Sequence, residues 1–439
     1  MVRAGGGAVM VARFIAEKIR EPKLRFFGDN ISDKPIDGLR AFGPVDLRSR
    51  KFTKMQVYVV HDGRRKDLVN AFVDRLKKSA EDLLKLELEV KKEIIVNQKD
   101  LTTYLARIEN EIESPVRDGE IVLQVLREKE ETIDKSPYYQ LRIRLLGRKD
   151  PIPVQSILYS TLENLRSAIP NNVMLSMYAK CGGKPWFLAE SVSELFNNVL
   201  YIGYDISGRI VTREGKKVPR TGTAIVYDNE GQYIYFTKYE IQTDKEVIPK
   251  ESIRGFIYNV VRDVIAKKRE IEGIVIHRDG EIYREEIEGI AEVAKSFNLS
   301  LAILSFPKKA PALIDLSNNM FAEPGWYFHA GLQLVRKETY LHTFYLQGFR
   351  FPYREGRKVN LLKYRIAYLW KNFLVSGEKI HAIYKDIARQ NLYLSRLNWG
   401  TALGKSKSPV TIHYAHKSSK LLSSGLDPRM LDEDKLFMI

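Results

Sequence analysis

The chain has 439 residues, 44% of them hydrophobic and 29% charged. That balance excludes a disordered or fibrous protein and predicts two to four domains of ordinary size. A single cysteine, Cys181, excludes an intrachain disulfide framework and any site built on several cysteine ligands. Seventy-one lysines and arginines against 55 acids leave a formal charge of +16; this fits a polyanionic partner, nucleic acid above all, while the plainer alternative is a basic surface kept for solubility.

No apolar run reaches the roughly 18 residues of a bilayer span, and Met1 to Lys18 shows no small-residue cleavage site. A cytoplasmic protein is therefore expected. Residues 1–50 are punctuated by Glu21-Pro22, Phe27-Gly28-Asp29-Asn30 and Phe42-Gly43-Pro44, and read as an extended lead-in. Val57 to Val60 is a short apolar strand, His61-Asp62-Gly63 a turn, and Arg65 to Leu84 has helical periodicity. Ile121 to Leu126 is a second buried strand, and helix-like stretches follow at Tyr139 to Leu146 and Gln155 to Met177. Strands alternating with helices indicate an α/β layer with parallel pairing. This unit, 51–185, closes near Gly182-Gly183-Lys184-Pro185-Trp186.

The second unit, 186–439, opens with a strand at Val199 to Asp205. A hairpin follows, Thr223 to Tyr227 and Tyr233 to Thr237 around Asn229-Glu230-Gly231. Ser252 to Lys268 is helical, Gly273 to His277 a buried strand, Glu281 to Phe297 helical and Leu301 to Ser305 a strand. Late helices are expected at Lys379 to Leu397 and Pro409 to Leu422. An antiparallel meander, a helix, then parallel strands is the order of a ribonuclease-H-like sheet.

Asp205 and Asp279 each stand where an apolar strand ends. If those strands are neighbours, both carboxylates emerge at one sheet edge, where open α/β sheets bind ligands. Carboxylates so placed suit a pair of Mg²⁺ or Mn²⁺ ions for phosphodiester cleavage; capping of turns is the alternative for each aspartate alone. His416, in a helix start after Pro409, is a third ligand or a proton donor, or simply a packing residue. His277-Arg278-Asp279 has the form of a kinase catalytic loop, but neither a Gly-rich loop nor a following Asp-Phe-Gly is present. Gly404-Lys405-Ser406 is half a phosphate-binding loop, with Gly400 one residue too close. Basic and aromatic residues alternate at Tyr353-Arg354, Arg357-Lys358, Lys363-Tyr364-Arg365 and Lys405 with Lys407. That pattern suits a nucleic-acid surface or a merely solvated face.

Four blocks in this order resemble the MID–PIWI half of prokaryotic Argonautes. They are Glu21 to Gly28 with Gly38 to Pro44, Lys180 to Trp186, Tyr204-Asp205-Ile206-Ser207, and Tyr414-Ala415-His416. The resemblance covers the chain from about residue 20 and is to the short members, since there is no length for N and PAZ domains. It implies an α/β fold with a Rossmann-like MID domain (51–185) after a lead-in (1–50), then a ribonuclease-H-like PIWI domain (186–439). It implies a pocket for the 5′ phosphate of a short guide strand at Tyr138, Arg142, Gln155 and Lys180. Here arginine stands where the family more often has lysine, and either Tyr138 or Tyr139 stacks on the first base. Tyr138 and Arg142, four residues apart, share a helix face. It implies the C-terminal Ile439 carboxylate as a metal ligand. It also implies a slicing set of Asp205, Glu246, Asp279 and His416, with Glu240 competing for the glutamate and Mg²⁺ or Mn²⁺ as cofactor. The expected function is guide-directed recognition of complementary nucleic acid in defence, with an effector protein as partner; target cleavage is the alternative.

Overall fold

The computed structural model describes residues 16–127, 136–206, 220–241, 247–267, 270–308, 314–315, 320–321, 323–335, 339–348, 361–377, 379–423, 426 and 435–438. Four parallel strands form the first sheet, in spatial order Glu87–Ile95, Lys54–His61, Glu120–Leu126, Val154–Leu158. Helices Lys66–Leu84, Leu101–Glu111, Pro137–Leu146 and Ala168–Lys180 accompany it. Lys54–His61 and Glu120–Leu126 are apolar and nearly wholly buried, as central strands covered on both faces must be. The edge strand Glu87–Ile95 is invisible to a search for apolar runs because it is charged. Glu89 pairs with Lys54 at 2.8 Å, Glu93 with Lys66 at 2.6 Å, and Lys91 with Glu120 at 2.7 Å. Such charges also guard an edge against pairing with another chain.

The second sheet has nine strands. In spatial order they are Ala16–Lys18, Trp326–Val335, Thr339–Leu346, Leu362–Trp370, Ser300–Phe306, Gly273–Asp279, Val199–Ile206, Arg220–Tyr227 and Tyr233–Ile241. The last three run antiparallel to one another, while Val199–Ile206, Gly273–Asp279 and Ser300–Phe306 are parallel. This is the ribonuclease-H-like arrangement, with the α/β fold expected. Helices Lys250–Ala266 and Arg284–Ser296 pack on one face over a core of Ile202, Ile257, Val261 and Ile276. A continuous core joins the other face to the first sheet, from Val57 and Leu123 through Tyr178, Trp186 and Trp399 to Tyr201 and Ile225.

Three expectations change. The lead-in is not extended throughout: Pro35–Phe42 is a helix, and Leu24–Arg25 pairs with Ile31–Ser32 and with Phe187–Leu188. Leu24, Phe26 and Leu39 are fully buried, so hydrophobic burial organises a segment whose turns alone looked irregular. Gln155 to Met177 opens as a strand, Val154–Leu158, with Val154 and Ile157 buried, before helices Tyr159–Glu163 and Ala168–Lys180. Lys363-Tyr364-Arg365 is no open basic face: Tyr364 is fully buried, and buried Arg365 pairs at 2.7 Å with Glu281, just past strand Gly273–Asp279. Lys405 likewise pairs with Glu21 at 3.4 Å. Tyr353, Arg354, Arg357 and Lys358 lie outside the described residues.

Helix Val410–Ser423 crosses the strand Val199–Ile206 at Gly203. A Cβ there would stand 2.4 Å from the Thr411 carbonyl carbon and oxygen, so only glycine permits this approach. His277 fastens the same spot through a 2.8 Å hydrogen bond between Nδ1 and Thr411 Oγ1. Gly203→Ala is expected to lower unfolding free energy by about 1–3 kcal/mol, because backbone atoms must move. Gly255→Ala, in a helix and with its nearest neighbour 3.6 Å from the added Cβ, is expected to be neutral or to stabilise by about 0.5–1 kcal/mol. Urea titrations of the two variants check both; equal effects would contradict the close-approach argument.

Candidate nucleic-acid interface and metal centre

Tyr204 is in parallel register with Arg278, which sets Asp205 beside Asp279 on adjacent strands. Helix Val410–Ser423 delivers His416 above them. His416 Nδ1 lies 3.1 Å from Asp205 Oδ2 and 3.2 Å from Asp279 Oδ2. Each of the three residues offers a ligand atom, all within 4.8 Å of one another. Hydrogen bonds to Asp205 and Asp279 push the His416 pKa up to about 9, so the ring is an imidazolium holding two carboxylates together at neutral pH. Burial would raise the Asp205 pKa, but His416, Ser419 and the Arg278 charge outweigh it and hold it below the usual range. Ser419 Oγ donates to Asp205 Oδ2 at 2.7 Å and the Ile206 amide to Oδ1 at 2.8 Å, which orients the carboxylate.

Two aspartate oxygens, with an imidazole nitrogen that must first give up its proton, are donors suited to Mg²⁺ or Mn²⁺. The cation already drawn between the carboxylates marks a place that favours positive charge. Asp205, Asp279 and His416 would hold such an ion, which supplies Lewis acidity toward a phosphodiester when bound. Arg278 adds a fixed cation 3.5 Å from Asp205 and 3.7 Å from the buried Glu286. Glu246 lies outside the described residues. Glu240 belongs to the edge strand Tyr233–Ile241, paired there with Thr221.

The second constellation grows from the strands Glu120–Leu126 and Val154–Leu158. Gln124, fully buried, donates to the Tyr104 hydroxyl at 2.9 Å and accepts from Ser156 Oγ at 2.6 Å. Ser156 Oγ accepts from Arg142 at 2.9 Å, and Arg142 also donates to the Tyr138 and Val154 carbonyls. The Arg142 guanidinium lies 3.8 Å from the centroid of the Tyr138 ring, an attraction between cation and ring face. Lys180, ending helix Ala168–Lys180, donates to the same Val154 carbonyl at 2.9 Å and to Gln155 Oε1 at 2.7 Å. Arg142 and Lys180 thus meet at one carbonyl, with Tyr138 against the guanidinium and Gln155 bonded to the ammonium.

Beside them is a cavity of about 160 Å³ lined by Tyr138, Tyr139, Arg142, Lys417, Lys420 and the tail residue Phe437, among others. Both tyrosines border it, their rings edge to face at 4.9 Å. Lys417 and Lys420, from helix Val410–Ser423, escaped the reading of the sequence. Their one signal was spacing, since positions 417 and 420 follow 416 and 419 around the helix and form the neighbouring face. Burial pushes the Lys180 pKa well down, with the charges of Arg142 and Lys417 adding to the effect. Burial also lowers Arg142 and Lys417. Among the described residues, no carboxylate pairs with any of these three cations. The tail is docked, with Leu436, Phe437 and Met438 buried, while Ile439 lies outside the described residues. No helix among the described residues is long and apolar enough to cross a membrane.

Known proteins resemble this chain in sequence and in fold. The family model for the Piwi domain matches residues 121–310, a span that runs from the first sheet into the second and so does not mark a boundary between them. The protein argonaute of Aquifex aeolicus is 26% identical over 416 residues, covering 92% of this chain and 52% of the relative. The Piwi protein of Archaeoglobus fulgidus is 23% identical over 399 residues, covering 86% and 85%. Among solved structures, Clostridium butyricum Argonaute bound to a guide DNA and a 19-mer target DNA superposes with a TM-score of 0.73 at 18% identity, over 97% of this chain and 55% of that one. Drosophila Piwi gives 0.71 at 18%, over 97% and 55%. The chain spans about half the length of the Aquifex relative. The chain thus contains a stretch that matches the Piwi domain and is similar along most of its length to Argonaute and Piwi proteins.

Proposed function

We propose that this protein carries a short guide strand by its 5′ phosphate and recognises complementary nucleic acid through base pairing. The observation that carries this reading is the cluster of buried Arg142 and Lys180 with half-buried Lys417 beside Tyr138. Like charges gathered largely out of water, with no carboxylate paired to them among the described residues, are costly; a phosphate dianion would offset that charge, and an adjacent tyrosine face stacks on a base, worth roughly 1–3 kcal/mol. The +16 net charge suits the rest of the strand. In this reading residues 51–185 form the MID unit, 186–439 the PIWI unit and 1–50 the lead-in. Sequence specificity is delegated to pairing, as in other guided systems. The setting we infer is cytoplasmic defence against invading nucleic acid, with an effector protein acting on recognition.

A second reading, favoured by the convergence of Asp205, Asp279 and His416, is cleavage of the paired target with Mg²⁺ or Mn²⁺. Glu246 would complete the set, and Ile439 would hold a further ion at the guide phosphate. With a matched guide, a target cut in Mn²⁺ and left intact by Asp205→Ala supports this reading. Intact targets in every divalent ion leave a binding protein.

For the pocket, Arg142→Ala with Lys180→Ala is expected to weaken a 5′-phosphorylated guide by about 2–5 kcal/mol, the range for truncating a buried charged contact, and a 5′-hydroxyl guide far less. Equal losses in a filter-binding assay would remove the pocket from the account. A pH test follows from Lys180. Its folded pKa lies below the ordinary value of about 10.4, so between the two the unfolded chain binds more protons and stability rises with pH. Unfolding free energies at neutral and at alkaline pH are therefore expected to rise more steeply in the free wild type than in Lys180→Met. Parallel slopes would show that Lys180 carries no buried-charge penalty.

A further inference from the structure

Three of the seven histidines, His329, His342 and His381, gather outside both sites described above, two of them on strands separated in the sheet from those that carry Asp205 and Asp279. The strands Trp326–Val335 and Thr339–Leu346 pair antiparallel, but the register shifts between His329 and Leu332. Gly331 makes the shift possible: its φ is +82°, and nothing lies within 4 Å of a Cβ placed there, so the glycine serves the bulge rather than a packing need. Bulges re-aim side chains. Here the bulge turns His329 toward His342, with Nε2 of one 3.0 Å from Nδ1 of the other. Tyr384 backs the pair, its ring centroid 5.3 Å from His329 and 5.4 Å from His342. His381, three residues earlier on the same helix and 6.3 Å from Tyr384, is exposed and close enough for its charge to act on His329. Phe344 stacks on His329 at 4.5 Å and fixes that ring.

We propose that His329 and His342, with His381 swinging in from the helix, form a binding site for a borderline transition metal, zinc first. Imidazole nitrogens are the donors such ions take, at about 2.0–2.1 Å from the metal. Two nitrogens 3.0 Å apart need only a small opening to share one ion. The exposed flank of His381 leaves room for a third ligand and a water. Among the described residues no carboxylate pairs with either ring, which turns the site away from Mg²⁺ and Mn²⁺ and toward nitrogen-seeking ions. The two metal sites are thereby separated by ligand chemistry: carboxylates with one histidine on the catalytic-side edge, imidazoles alone here.

The test is calorimetric titration of zinc into the full-length, metal-stripped protein in excess Mg²⁺, which occupies carboxylate sites. One zinc per chain is expected. His329→Gln and His342→Gln should abolish it, His381→Ala should weaken it by roughly tenfold or more, and Asp205→Asn should leave it intact. Zinc binding that survives His342→Gln, vanishes with Asp205→Asn, or is absent in the wild type overturns the proposal. Because a variant in the sheet could misfold, a second measurement uses the wild type alone. Zinc should protect His329 and His342 from diethyl pyrocarbonate, read by mass spectrometry; labelling unchanged by zinc also overturns it.

Discussion

The close crossing of one helix over one strand sets everything else. At Gly203 the backbone of Val199–Ile206 meets the backbone of Val410–Ser423 with no side chain between them. Thr223 Oγ1 adds a 3.2 Å hydrogen bond to the Ala415 carbonyl, and the Tyr414 hydroxyl, wholly buried, accepts from the Trp399 amide at 3.1 Å. A helix held that tightly has no freedom to rotate. Its residues 416 and 419 then face the strand-end carboxylates, while 417 and 420 face the cavity beside Tyr138.

One helix therefore serves two electrostatic tasks of opposite sign. On one face His416 answers the negative charge of Asp205 and Asp279. On the other, Lys417 and Lys420 join Arg142 in building a positive, partly dehydrated pocket. The pocket is composite: Tyr138, Tyr139 and Arg142 come from the four-stranded unit and the two lysines from the helix packed on the nine-stranded sheet. An anion lodged there would bridge the two units electrostatically, in addition to the apolar core through Trp186 and Trp399.

Much of this was legible in the residues. The central strands announced themselves as apolar runs, and the strand-end positions of Asp205 and Asp279 followed from where those runs stop. The spacing of Tyr138 and Arg142 placed them on one face, as observed. What escaped was structure whose signal is not apolar. The edge strand Glu87–Ile95 hides behind its charges, and the helix Pro35–Phe42 is short and flanked by turns. Lys363, Tyr364 and Arg365 showed the opposite failure: an alternation suited to a nucleic-acid face or a solvated one belongs to a strand in which Tyr364 and Arg365 are both buried.

Local pattern determined the elements, the excess of positive charge and the identity of the candidate ligands, because periodicity, composition and residue chemistry are properties of neighbours in the chain. Which ligands meet was decided only in three dimensions. Asp205 and His416 lie 211 residues apart, and Arg142 and Lys417 lie 275 apart by their numbers. Their meeting depends on strand register and on the absence of a single Cβ at residue 203. No periodicity encodes such long-range contacts; packing alone creates them.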